Sequence, residues 1–235
     1  MNAIDERTRG KLQEALREIH VMAELDGGFG VGVEEGDQDE FATMGRPAPL
    51  AIGVTSPGYG DGKTTIAIAL ASSLSRDFGA RATLIDADFA THSVDKEYGL
   101  EGQSGFAELL NGSSRLNDVF YPVSATMRVI PAGGHTLEPN RAARSDRLAD
   151  VIGQLKRSNR YVILDLPAAL RSMTTPALAQ RCDGVIVVVR HGRTNRQDLE
   201  RTLHLLKDAR ILGVVVNRRR SSVPAWVERI LEMRQ

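Results

Sequence analysis

The stretch Leu50-Ala51-Ile52-Gly53-Val54-Thr55-Ser56-Pro57-Gly58-Tyr59-Gly60-Asp61-Gly62-Lys63-Thr64-Thr65 decides the fold. Residues 50–54 form a short apolar run, the pattern of a strand buried on both faces. A glycine-rich turn follows. Residues 64–78 then place Ile66, Ala69, Leu70 and Leu74 at helical spacing, so one side of a helix faces the core. Strand, glycine-rich turn and helix, in that order, form one βα unit.

Working outward, the same alternation continues. Strands are expected at 82–85, 127–130, 161–164, 185–189 and 211–216. Helices are expected at 105–110, 144–156, 176–180, 197–206 and 224–233. Such alternation predicts an α/β domain, a mostly parallel sheet with helices on both faces. Upstream, residues 5–25 read as an amphipathic helix, with Leu12, Leu16, Ile19 and Met22 on a narrow stripe. Residues 26–49 are rich in glycine and acid, centred on Glu34-Glu35-Gly36-Asp37-Gln38-Asp39-Glu40, and read as a flexible linker. The expected organisation is therefore an N-terminal helix (1–25), a linker (26–49) and one P-loop domain (50–235).

The chain has 235 residues, 42% hydrophobic and 26% charged, with a formal net charge of zero. That balance gives no reason to expect nucleic acid or an anionic membrane as a partner. From Arg190 onward there are 11 basic and 5 acidic residues. The triplet Arg218-Arg219-Arg220 in that part is most simply a solvated loop. Cys182 is the one cysteine, which excludes an internal disulfide and fits a reducing compartment. The five histidines share no metal-binding spacing and read as packing or surface residues. The N-terminus has no signal-peptide pattern, and no apolar run approaches the ~20 residues of a membrane span. A cytoplasmic location is expected, with any membrane contact made through a partner.

The βα turn carries the chemistry. Glycines let successive backbone N–H groups point inward on a phosphate, and the helix N-terminus adds partial positive charge. Gly58, Gly60, Asp61, Gly62, Lys63, Thr64 and Thr65 are the candidates for nucleotide contact. Lys63 would reach the β- and γ-phosphates, and the Thr64 hydroxyl would bind Mg²⁺. The strict G-x-x-x-x-G-K-[ST] form is not met, because Pro57 stands at the first glycine position. Asp86 and Asp88 follow one strand and Asp165 another, at the carboxyl ends where α/β ligands bind. Asp86 and Asp165 would hold Mg²⁺ and its waters; Asp88 would orient the attacking group. Read singly, each could instead cap a turn.

These three motifs resemble those of the bacterial tyrosine kinases of capsule and exopolysaccharide export, a branch of the MinD/ParA-type P-loop ATPases. Val54 to Thr64 is similar to that branch's T-S-x-x-P-x-E-G-K-[ST], with Asp61 in the Glu position. Ile85-Asp86-Ala87-Asp88 resembles its D-x-D motif, and Leu164-Asp165-Leu166-Pro167 its D-x-P-P motif. Glu14 to His20 is similar to an E-x-x-R-x-x-R helix that serves ring assembly. The resemblance implies ATP/ADP and Mg²⁺ as ligands. It also implies a homo-oligomer, and a separate membrane-spanning co-polymerase or activator at the inner face of the membrane. By the same resemblance, Asn217 after the last strand would read adenine. Gly58 replaces the extra lysine of the MinD/ParA group proper. Ala90 and Ala168 replace an arginine and a proline of the kinase motifs, which weakens the expectation of kinase activity. The tyrosines are Tyr59, Tyr98, Tyr121 and Tyr161, so the branch's usual tail cluster of phosphate acceptors is not expected here. The leading expectation is an ATP-hydrolysing, kinase-like regulator of polysaccharide polymerisation or export. The alternatives are a nucleotide-gated assembly module with little turnover, or a ParA/MinD-like positioning ATPase.

Overall fold

The structure is a computed structural model and describes residues 48–134 and 146–218. The expected helices at 5–25 and 224–233 lie outside those residues, as does nearly all of the linker. Apolar runs form the strands β1 (Leu50–Thr55), β2 (Ala82–Asp86), β4 (Met127–Ile130), β5 (Tyr161–Asp165), β6 (Gly184–Arg190) and β7 (Ile211–Asn217). A two-residue strand, β3 (Tyr121–Pro122), completes a seven-stranded sheet of order β3-β4-β2-β5-β1-β6-β7. Every pair is parallel except β3 with β4. The mostly parallel α/β architecture expected from the alternation is the one observed.

Each strand's alternate residues enter opposite cores. On one face Ile52, Val54, Leu84, Ile163 and Val188 pack against α1 (Lys63–Arg76) through Ile66, Leu70 and Leu74. On the other, Ile85, Val162, Leu164, Val185 and Val187 pack against α4 (Asp146–Ser158) through Leu148, Ile152 and Leu155. Helices α5 (Thr175–Ala179) and α6 (Arg196–Leu205) join that second face through Leu178, Leu199 and Leu203. Burial on both sides is why the strands carry no polar alternation.

Several short elements carry no such signal. Helix α2 (Ser93–Tyr98) and the 3₁₀ turn Leu116–Val119 are two of them, on either side in sequence of α3 (Phe106–Asn111), the helix expected at 105–110. In α2 the buried residues are Val94 and Asp95, too few for a period to be read. Elsewhere the expected elements are present with ends shifted by one or two residues, the usual scatter at frayed termini.

The topology fixes the site. Strands β1, β2 and β5 are neighbours, and Asp86 and Asp165 are register partners at their carboxyl ends, beside Val54 of β1. The loop from β1 into α1 therefore opens directly above two carboxylates.

Candidate nucleotide site

Residues 56–62 form a braced loop. Gly60 and Gly62 have φ of +78° and +103°, a region hostile to side chains, which is why glycine is needed at both. Gly58 N–H donates to Asp61 Oδ2 at 2.9 Å, and Ser56 Oγ donates to the Gly58 carbonyl at 2.8 Å. The segment after β5 supports one flank: Ala169 N–H donates to the Ser56 carbonyl at 2.8 Å. The ends of β6 and β7 support the other. Arg190 Nη1 donates to the Gly60 carbonyl at 3.3 Å, and Asn217 Nδ2 to the Asp61 carbonyl at 2.8 Å. The first helical hydrogen bond runs from Ile66 N–H to the Gly62 carbonyl. The N–H groups of Lys63, Thr64 and Thr65 precede it, as the first turn of any helix leaves them. Together with the dipole they make an anion receptor.

Below the loop, four of the candidate side chains meet. Lys63 Nζ lies 3.0 Å from Asp88 Oδ2 and 3.2 Å from Asp165 Oδ1. Thr64 Oγ1 donates to Asp165 Oδ2 at 2.6 Å. All three aspartates are buried, as is Lys63. Asp88 Oδ2 is held by the ammonium alone, without an aligned hydrogen-bond donor among the described residues. Asp86 differs from its neighbours. Its Oδ1 accepts from Asp88 N–H at 3.0 Å and its Oδ2 from Val94 N–H at 2.9 Å. It therefore shapes the loop that carries Asp88 while adding charge from behind.

Of the three buried carboxylates, Asp88 and Asp165 face the one ammonium, and Asp86 lies behind them on backbone N–H donors. Burial raises Asp86 to about 7, with the charges of Asp165 and Asp95 adding to it against the two N–H donors. Burial also raises Asp165, to about 6, although Lys63 and Thr64 pull the other way. Burial would lower Lys63, but Asp165 and Asp88 outweigh it and hold the amine charged. Burial and mutual repulsion thus make Asp86 and Asp165 hold protons more readily than ordinary carboxylates. The pocket's donors are hard oxygens: a threonine hydroxyl and carboxylates. Among the described residues no three acidic, histidine or cysteine side chains form a closed metal cage. That donor set fits Mg²⁺, which keeps several waters and takes one or two protein oxygens beside a phosphate.

A cavity of about 400 Å³ opens beside the loop, lined by residues that include Gly58, Tyr59, Asp61, Arg171 and Arg193. Of the residues proposed from sequence, Lys63, Thr64, Asp88 and Asp165 are in direct contact. Gly58, Gly60, Asp61, Gly62 and Thr65 build the loop or the first turn of α1. Asn217 seats its amide against Gly62, and a Cβ there would overlap it. Arg190, His92 and Asp95 were not singled out for a role in the site. Arg190 sits in a strand otherwise read as core, and the His92–Asp95 pairing has no motif.

Residues 52–232 match the model of the CobQ/CobB/MinD/ParA nucleotide binding domain. The chain belongs to this family. Within it, the chain is similar to an uncharacterized ATP-binding protein of Methanocaldococcus jannaschii, at 33% identity over 172 residues; the match covers 72% of this chain and 64% of that protein. It is 30% identical over 171 residues to the tyrosine-protein kinase CpsD of Streptococcus pneumoniae serotype 4, covering 71% of this chain and 75% of that one. It is 28% identical over 204 residues to the succinoglycan biosynthesis transport protein ExoP of Rhizobium meliloti. That match covers 79% of this chain but only 26% of ExoP. The kinase domain of Escherichia coli tyrosine kinase ETK superposes with a TM-score of 0.68 at 20% identity, covering 79% of this chain and 74% of that domain, a likeness of fold. This CobQ/CobB/MinD/ParA domain is thus a P-loop ATPase-family member with bacterial tyrosine-protein kinases among its relatives. Among the described residues no helix is long and apolar enough to cross a membrane.

Proposed function

We propose that this protein binds ATP with Mg²⁺, hydrolyses it, and acts as a kinase-like regulator of exopolysaccharide or capsule polymerisation or export. The observation that carries the reading is the convergence of Lys63, Thr64, Asp88 and Asp165 beneath a glycine-built anion receptor. The loop N–H groups and Lys63 bind the phosphates and stabilise charge on the transferring phosphoryl group. Thr64 and Asp165 would hold Mg²⁺, with Asp86 behind them, and the bound ion would supply charge stabilisation at the phosphate oxygens. Asp88 orients the attacking hydroxyl or water and takes its proton. Asn217, at the mouth of the loop, contacts adenine.

Similarity to tyrosine-protein kinases and to a succinoglycan biosynthesis transport protein supports the cellular part of this reading. The protein would work as a homo-oligomer on the cytoplasmic face of the membrane, through a separate membrane-spanning co-polymerase or activator. Purified protein incubated with ATP and Mg²⁺ tests the enzyme claim. Phosphate release, or transfer to tyrosine in the partner, is expected; neither product at any protein concentration would refute it.

One observation favours a second reading. Lys63 and Thr64 both engage Asp165 directly, so an arriving γ-phosphate must compete for them. Such a bistable contact could make the domain a nucleotide-gated assembly module with little turnover. Oligomer mass measured with ADP and with a non-hydrolysable ATP analogue separates the two, since the module must change mass between them. Gly58 in place of an extra lysine argues against a ParA/MinD-like positioning ATPase.

A further inference from the structure

The loop between β2 and α2 has to keep Asp88 pointed at Lys63, and much of it is held by its own turn. Thr91 N–H and His92 N–H both donate to the Asp88 carbonyl, at 3.2 Å each, and Ala90 N–H reaches Asp88 Oδ1 at 3.3 Å. Ala90 is exposed and has no side chain with reach. Besides Asp86, which accepts from Asp88 N–H and Val94 N–H, and Lys63, which pairs with Asp88, two further side chains tie the loop to the body of the domain. Phe89 stacks on Phe106 with ring centroids 5.9 Å apart. His92 Nδ1 lies 2.9 Å from Asp95 Oδ2.

The second tie is unusual in its backbone. His92 has φ +50° and ψ +45°, a left-handed conformation disfavoured for any residue with a Cβ. Glycine would satisfy that backbone better. What glycine lacks is the ring. Asp95 is buried, and its other oxygen accepts from Ala132 N–H at 2.9 Å, just past the end of β4. A continuous path therefore runs from the β4 terminus through Asp95 to the His92 ring, and through the His92 N–H to the Asp88 carbonyl. A carboxylate accepts only, so Nδ1 must carry the proton on that bond. The Lys96 ammonium reinforces the same turn by donating to the Thr91 carbonyl at 2.8 Å.

We propose that His92 is a positioning residue that fixes Asp88 against Lys63 by anchoring the β2–α2 turn to Asp95. It rests on the reading of Asp88 as the group that orients the attacking atom. His92 does not touch the reacting groups; its strained backbone is tolerated because the ring bond holds the turn in one place. A misplacement of Asp88 by about 1 Å would lower turnover strongly while leaving the phosphate loop intact.

The test separates backbone from ring. His92→Gly keeps the left-handed turn and removes the tie. His92→Asn tolerates the same φ and retains an amide that can donate to Asp95. In His92→Gly, kcat for ATP turnover is expected to fall on the order of 10–100-fold. Its nucleotide Kd is expected to stay within about twofold of wild type, since Lys63 and the loop are unchanged. Amide exchange across residues 87–94 should accelerate without nucleotide, and His92→Asn should recover part of both losses. Wild-type kcat and wild-type exchange in His92→Gly would overturn the proposal. So would an equal loss of nucleotide affinity and turnover, which would make the role purely structural. If the wild-type protein neither binds nor turns over ATP, the functional reading fails; the exchange experiment still decides whether His92 anchors the turn.

Discussion

Thr64 Oγ1 donates to Asp165 Oδ2 at 2.6 Å, joining the first turn of α1 to the carboxyl end of β5 across 101 residues of sequence. A hydroxyl bonded to a carboxylate in a buried site is stronger than a neutral pair. It holds the first turn of α1 against the end of β5.

Thr64→Val keeps the shape and removes that donor. Loss of about 1–3 kcal/mol is expected in denaturant unfolding without nucleotide. Mg²⁺-dependent turnover should fall by at least about tenfold, since the change removes the oxygen proposed to bind the ion. Thr64→Ser should restore both. Unchanged Mg²⁺ dependence in the valine variant would remove Thr64 from the metal site.

The raised carboxylates make stability fall with pH. Asp86 titrates at about 7 and Asp165 at about 6, both above their ordinary value. A group with a raised folded pKa contributes stability that is complete below its unfolded pKa, near 4, and is lost as pH rises through the folded value. Nucleotide-free protein should therefore lose stability between about pH 4 and pH 7 and level off above that. The slope approaches about 1.4 kcal/mol per pH unit for each group titrating. Mg²⁺ with nucleotide should flatten the slope by neutralising the charged carboxylates. Urea unfolding across that window checks it, and a rise in stability with pH would contradict the arrangement.

Asp86→Ala strands the N–H groups of Asp88 and Val94 in a buried site. Each orphaned donor costs about 1–3 kcal/mol, partly offset by removing a buried charge. The variant should be clearly destabilised at pH 5.5, where the offset is smallest, and less so at pH 8. Equal destabilisation at both values would mean that Asp86 carries no excess charge.

Gly62→Ala combines a left-handed φ with a clash against Asn217. The backbone conformation costs about 1–2 kcal/mol by itself. Nucleotide affinity should fall sharply, because the loop must reshape. Adding Asn217→Ala should recover the steric part and not the backbone part. No recovery in the double variant would show that the clash is unimportant.

Much of the fold was legible because parallel strands buried on both faces read as unbroken apolar runs. Residues 161–164 and 185–189 needed no other evidence. The missed elements lacked that signal. Strand β3 is two residues at a sheet edge, one of them Pro122, with a half-exposed tyrosine beside it. Helix α2 is too short for a period. Lys63, Thr64, Asp88 and Asp165 were readable because motif spacing places them at strand ends around one loop. Asp95 and Arg190 were not, because an aspartate in a short helix and an arginine ending a strand look ordinary until their partners are seen.

By itself the sequence determined the alternating α/β order, the glycine-built turn after β1 and the residue types that meet beneath it. Local propensity and hydrophobic period are encoded within about ten residues, and those features need no more. Tertiary structure decided how the charges are shared. It put Lys63 between Asp88 and Asp165, turned Asp86 toward two backbone N–H groups, seated Asn217 on Gly62 and tied His92 to Asp95. The pairings to Asp165 and to Asn217 join residues more than a hundred positions apart, and even the near ones depend on which way a buried side chain faces. Only the packed sheet brings such groups within hydrogen-bond reach, and burial there raises the pKa of Asp86 and Asp165 above the ordinary carboxylate range.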